Sequence, residues 1–154
     1  VGCPDMRIDI AGHSMGARVV LTALKQLPPG VIENAYLLNP AVDWDVFEDS
    51  KDYADPEIPG NRGEFRDSAK GAKNIYIFHS SLDEVLLDLF PLYGRTALGL
   101  GGPQDPKQVP ANVHSYDFTA QWREQHMAVF GPQGGAAFFS LYRTLSPGDR
   151  ACCP

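Results

Sequence analysis

Ser14 stands in Gly12-His13-Ser14-Met15-Gly16, a serine flanked at the spacing G-x-S-x-G. A serine hydroxyl becomes a useful nucleophile only when a base takes its proton and a carboxylate holds that base in the right tautomer. The chemistry is then acyl transfer: attack on an ester carbonyl, an acyl-enzyme, and its hydrolysis. The flanking glycines let the backbone make a tight, strained turn with its neighbours packed close. On such a turn Ser14 Oγ projects from the carboxyl edge of a sheet. The helix that follows aims its first N–H groups and the positive end of its dipole at the reacting centre. The backbone N–H of Met15 is the candidate oxyanion donor. His13, beside the nucleophile, faces elsewhere on this turn and reads as a packed or hydrogen-bonded structural histidine.

In serine sites built on a strand-to-helix turn, the acid and the histidine follow the serine in that order. Asp83 comes just after the apolar run at 75–78, at the carboxyl edge that Ser14 also occupies, and is the candidate acid. Asp43, after the preceding run, and the adjacent Glu84 are its alternatives. The other reading of Asp83 is a helix cap ahead of residues 85–89. His126 lies in the loop after the run at 113–118, again at that edge, and is the candidate base. His114 opens the same run, which puts it at the far end of a parallel sheet; it is the alternative. Either histidine otherwise reads as a solvated or core residue, and His79 reads as structural. No pair among the four histidines has metal-ligand spacing, so neither a metal nor another cofactor is expected.

The elements that must position these groups are legible in the patterning. Residues 6–11 alternate apolar Met6, Ile8 and Ile10 with Arg7 and Asp9, the period of a strand that ends at Gly12. From Met15 the period changes: Ala17, Val20, Leu21, Leu24 and Leu27 recur at helical spacing until Pro28, Pro29 and Gly30 stop them. The apolar runs at 35–38 and 75–78 have the length of buried strands. Between them, residues 43–73 hold nine acidic and five basic side chains with Pro56, Pro59 and Gly60 in the middle. That stretch reads as loop with one or two short helices, the better candidate at 61–73, and as a candidate cap over the site. Residues 88–110 are rich in glycine and proline and read as a surface loop. A last strand follows at 113–118. Past a second breaker cluster at 131–135, Phe138, Leu141, Tyr142 and Leu145 outline a closing amphipathic helix. Alternating strands and helices indicate one α/β domain over residues 1–154, a three-layer sandwich on a short, mostly parallel sheet.

Composition sets bounds. At 154 residues and 44% hydrophobic, the chain can bury a single core. A net charge of -6, with 13 basic residues that form no cluster, argues against nucleic acid. Cys3, Cys152 and Cys153 are too few and too badly spaced for a disulfide framework, which favours a reducing compartment. No stretch approaches the roughly 18 apolar residues of a membrane span, and no signal-peptide pattern opens the chain, so a cytoplasmic location is expected.

The run Ile10-Ala11-Gly12-His13-Ser14-Met15-Gly16-Ala17-Arg18-Val19 resembles the nucleophile elbow of α/β-hydrolases. Leu37-Leu38-Asn39-Pro40-Ala41-Val42-Asp43-Trp44-Asp45-Val46-Phe47 and Phe78-His79-Ser80-Ser81-Leu82-Asp83 are similar to the segments after the next two strands in a poorly characterised bacterial branch of that superfamily. The resemblance implies a triad of Ser14, Asp83 and His126 that hydrolyses a small-molecule ester through an acyl-enzyme. It also exposes three departures. Members carry further strands before the elbow, whereas five residues precede Met6 here. The loop that gives members a second oxyanion N–H has no counterpart. The family histidine often follows a glycine, whereas Gln125 precedes His126, which keeps His114 as the alternative. The first strand is therefore expected to be a sheet edge, and covering it predicts a homo-oligomer, a dimer built at or near that edge. The competing functional reading is a non-catalytic hydrolase-like fragment that binds a partner or ligand.

Overall fold

A computed structural model describes residues 7–49, 62–93 and 95–146. Met6, Cys3, Cys152, Cys153 and residues 50–61, part of the stretch read as a candidate cap, lie outside the described residues. Among the described residues, four parallel strands form a sheet in the order of the chain: β1 (Asp9–His13), β2 (Ile32–Leu38), β3 (Ala72–His79) and β4 (Val113–Asp117). The register sets His13 opposite Leu38, Leu38 opposite Phe78 and Phe78 opposite Tyr116. All four carboxyl ends thus reach one rim, and the chain leaves that rim at Ser14, Asn39, Ser80 and Phe118.

Strand alternation sorts the core into two layers. Leu37, Ile75, Ile77 and Val113 face α1 (Gly16–Leu24), which buries Ala17, Val20, Leu21 and Leu24 against them. Tyr36, Leu38, Tyr76 and Phe78 face the other way, onto Phe118, Trp122, Val129 and Phe138. Burial of each large apolar side chain contributes about 1.5 to 3 kcal/mol, so both layers are needed to hold so short a sheet. The result is the three-layer α/β sandwich that the alternating pattern indicates.

The differences from the sequence reading have physical causes. β1 runs through Gly12 to His13, because backbone pairing with β2 and not side-chain alternation sets its end. β2 begins at Ile32, its polar Glu33 and Asn34 having hidden its first half from a hydropathy reading. Among the described residues of the stretch 61–73 no α-helix forms. Only a 3-10 turn forms at Arg66–Lys70, held to α1 where Ser68 Oγ donates to the Leu21 carbonyl at 2.8 Å, and residues from Ala72 onward join β3. The stretch 88–110 is surface loop only in part. It contains the end of α2 (Glu84–Leu89), a 3-10 turn at Phe90–Tyr93 and α3 (Leu98–Gly101), and Ala97 and Leu98 are fully buried. Their neighbourhood is tied inward: Leu98 N–H donates to the Val42 carbonyl at 2.7 Å and Gly99 N–H to that of Pro40 at 2.9 Å. After β4 come α4 (Thr119–Trp122) and α5 (Pro132–Leu145). Pro132 sits in the first turn of α5, where its missing N–H costs nothing, so this helix starts inside the cluster read as a breaker. Between β1, an outer strand of the described sheet, and α5 runs an apolar cleft of about 800 Å³ that includes Ile10, Leu38, Phe130 and Phe139. Among the described residues no helix is long and apolar enough to cross a membrane.

Candidate active site

β1 hands the chain to the turn at Ser14, whose φ of +53° is one of three positive values at non-glycine positions among the described residues. A side chain is unfavourable there, and the surrounding bonds must hold it. They do so on three sides. Ser14 N–H donates to the Leu38 carbonyl at 3.0 Å, and its own carbonyl accepts from Ala17 N–H and from Ala41 N–H, both at 3.1 Å. Gly12 is a steric necessity: a Cβ there would lie 2.7 Å from the Gly16 carbonyl oxygen and 2.9 Å from Ala17 N, both backbone atoms that cannot yield. Gly16 differs from the sequence reading, since a Cβ on it would meet nothing within 4 Å. Met15 caps α1 with no side-chain hydrogen bond, and the first turn carries no acidic residue. The N-terminal amides of α1 are thus neither capped by a side chain nor neutralised, the electrostatic condition for stabilising a developing oxyanion.

Asp83 leaves β3 at the same rim and is fully buried. Its two oxygens divide the labour. Oδ1 accepts from Leu86 N–H at 3.0 Å as the N-cap of α2, and Oδ2 accepts from His126 Nδ1 at 2.7 Å. The capping and pairing readings of Asp83 are therefore compatible, the cap fixing the carboxylate that receives the imidazole. A carboxylate only accepts, so Nδ1 carries the hydrogen, which in the neutral ring leaves Nε2 as a lone-pair acceptor. The His126 side chain keeps 10% of its surface exposed, enough to reach a ligand at the rim. Ser14 Oγ makes no hydrogen bond among the described residues; contacts between nucleophile and base commonly tighten only when substrate arrives.

The alternatives lie elsewhere. His114 is the second residue of β4, paired with Tyr76 in register and stacked on its ring at 5.2 Å, at the rim away from Ser14. Asp43 is buried in an ion pair with Arg95 at 2.8 Å. Glu84 is exposed in the first turn of α2. His79 ends β3 with Nδ1 buried and without a hydrogen-bond partner, and burial lowers its pKa from the ordinary 6.5. His13 Nε2 meets the carbonyl oxygen of His126 at 2.8 Å, and its ring lies 4.6 Å from the His126 ring. Asn39 was not singled out from the sequence. It has a φ of +42°, is almost wholly buried, and donates from Nδ2 to the same His126 carbonyl at 3.4 Å. The available signal was Asn-Pro directly after an apolar run, since asparagine is the side chain that best tolerates positive φ. Among the described residues no three His, Cys, Asp or Glu side chains group as metal ligands.

Residues 3–110 match the family described as alpha/beta hydrolase of unknown function (DUF900). The chain belongs to that family. The part of this α/β hydrolase that matches contains Ser14, Met15 and Asp83 and stops short of His126, which enters through its contact with Asp83. No curated protein and no solved structure matches this hydrolase.

Proposed function

We propose that this α/β hydrolase cleaves carboxylic esters through an acyl-enzyme on Ser14, with His126 as base, Asp83 as its orienting acid and Met15 N–H as an oxyanion donor. The observation that carries the proposal is the 2.7 Å bond from His126 Nδ1 to the fully buried Asp83, on the rim where the backbone holds Ser14 in a strained turn. In the reaction, Ser14 Oγ attacks the carbonyl carbon while its proton passes to His126 Nε2. The carbonyl oxygen gathers negative charge beside Met15 N–H, and the imidazolium that forms is stabilised by Asp83. Collapse breaks the bond to the leaving alcohol, which takes the proton from Nε2. Water, deprotonated by the same nitrogen, then attacks the acyl carbon and returns Ser14 Oγ with its proton.

The test is turnover of a short-chain p-nitrophenyl ester by the protein and by Ser14→Ala. Turnover lost in the variant supports the reading; turnover kept in the variant, or absent from both, ends it. One observation favours the second reading, a binding module without catalysis: Ser14 Oγ makes no hydrogen bond to His126. Self-association at the β1 edge belongs to the first reading. Sedimentation at micromolar concentration checks it, a dimer supporting it and monomer alone removing it.

A further inference from the structure

We infer that His13 and Asn39 are positioning residues, a two-donor clamp that aims His126 by holding its main-chain carbonyl. The inference rests on the reading of His126 as the base. His126 lies between α4 and a 3-10 turn at Ala128–Phe130; Trp122, Ala128 and Val129 anchor the two ends of this segment in the core, while Arg123, Glu124, Gln125 and Met127 beside His126 are exposed, so the direction of His126 itself is left to its own polar contacts. Its side chain makes one hydrogen bond among the described residues, from Nδ1 to Asp83, and rests against the His13 ring at 4.6 Å. With a single hydrogen bond on the ring, the direction of Nε2 depends on where the His126 main chain is held.

The main chain supplies the second constraint. A carbonyl oxygen has two lone pairs, and both are addressed: His13 Nε2 at 2.8 Å from the end of β1, and Asn39 Nδ2 at 3.4 Å from the residue after β2. Since a carbonyl can only accept, His13 Nε2 must carry a hydrogen. Both donors stand on the rim itself, not on the loop they hold. His13 pairs with Leu38 in the sheet, and Asn39 N–H donates to the Phe78 carbonyl at 2.9 Å. The His13 ring is in turn gripped from its side by Phe130, edge-on at 5.2 Å. Burial lowers the His13 pKa from the ordinary 6.5, which keeps this donor uncharged next to a ring that becomes cationic during attack. The residue adjoining the nucleophile thus reaches across to the base, tying the two halves of the site to one strand end.

The experiment compares His13→Phe, which keeps a ring but has no donor, with His13→Gln, which restores an N–H at similar reach. Asn39→Gly removes the second donor while suiting the positive φ, so it guards against a variant that merely unfolds. Two readouts are taken: kcat and KM on the p-nitrophenyl ester, and the NMR resonance of the His126 Nδ1–H proton shared with Asp83. His13→Phe is expected to lose up to about 100-fold in kcat, the effect of an ångström-scale misplacement, with KM nearly unchanged, and to broaden the resonance. His13→Gln is expected to recover most of both, and Asn39→Gly to lose less than His13→Phe. A wild-type kcat and an unaltered resonance in His13→Phe, or a His13→Gln variant no better than it, overturns the clamp. The resonance is read with or without turnover, so a wild-type protein that hydrolyses nothing ends the esterase reading while the clamp still stands or falls on the proton signal.

Discussion

The two rims of the sheet are built on opposite principles. At the amino rim most polar groups are met several times over: the Asp9 carboxylate accepts from Asn34 N–H, Asn34 Nδ2, Ser146 Oγ and Tyr142 OH, and Asn112 Nδ2 donates to the carbonyls of Ala69 and Ala72, with Tyr36 OH near Asp9 the exception, buried without a hydrogen-bond partner. At the carboxyl rim all three non-glycine residues with positive φ among those described, Ser14, Asn39 and Arg123, occur together, and Asn39 Oδ1 and His79 Nδ1 are buried without partners. One rim fastens the fold. The other holds strain and unmet polarity that only a rigid sandwich can keep in place, and such sites are where chemistry concentrates.

The contrast breaks first, and by the largest effect, on the histidines. His126→Gln is expected to lower kcat by more than about 1000-fold and His114→Gln to leave it unchanged, read as ester hydrolysis at matched protein concentration. A loss in His114→Gln would erase the functional difference between the rims. Next in size is the elbow. Gly12→Ala is expected to cost about 2 to 3 kcal/mol of unfolding free energy by forcing a methyl against fixed backbone, measured by denaturant titration. Gly16→Ala, with open space before it, is expected to be neutral or to gain up to about 1 kcal/mol from helix propensity. Equal losses would show that the turn is not sterically tight. Asp9→Ala sharpens the comparison from the other side: about 1 to 2 kcal/mol of stability lost with kcat intact, because its donors are left unpaired far from Ser14.

The smallest effect is a pH dependence. Burial lowers the folded pKa of His79 below the ordinary 6.5, so in that window the native chain binds fewer protons than the unfolded one. The contribution is fully present above pH 6.5 and is lost as pH falls below it. Denaturant midpoints of the wild type and His79→Gln are expected to move together above pH 6.5, the wild type then losing ground on further acidification. A constant difference across that range would contradict the assigned burial.

What could be read beforehand was local. The strand period before Gly12, the helical period after Met15 and the apolar runs before Asp83 and before His126 each depend on neighbours in the chain, and together they point to a parallel sheet with Asp83 and His126 at one rim. What could not be read depends on distant partners. Ala97 and Leu98 sit in a glycine-rich stretch, and their burial comes from backbone bonds to Val42 and Pro40, which no local period records. Asn39 gives only a turn signal, because its contact with the His126 carbonyl spans 87 positions. The two roles of Asp83 looked like rivals for the same reason: a sequence names one carboxylate but not the separate partners of its two oxygens.

The most direct test is to map the adduct of a fluorophosphonate probe by mass spectrometry in the wild type, Ser14→Ala, His126→Gln and His114→Gln. The expected result is one adduct on Ser14, absent from Ser14→Ala, formed far more slowly in His126→Gln and at the wild-type rate in His114→Gln. An adduct on another residue, no adduct at all, or labelling indifferent to His126 would contradict a relay from Ser14 through His126 to Asp83.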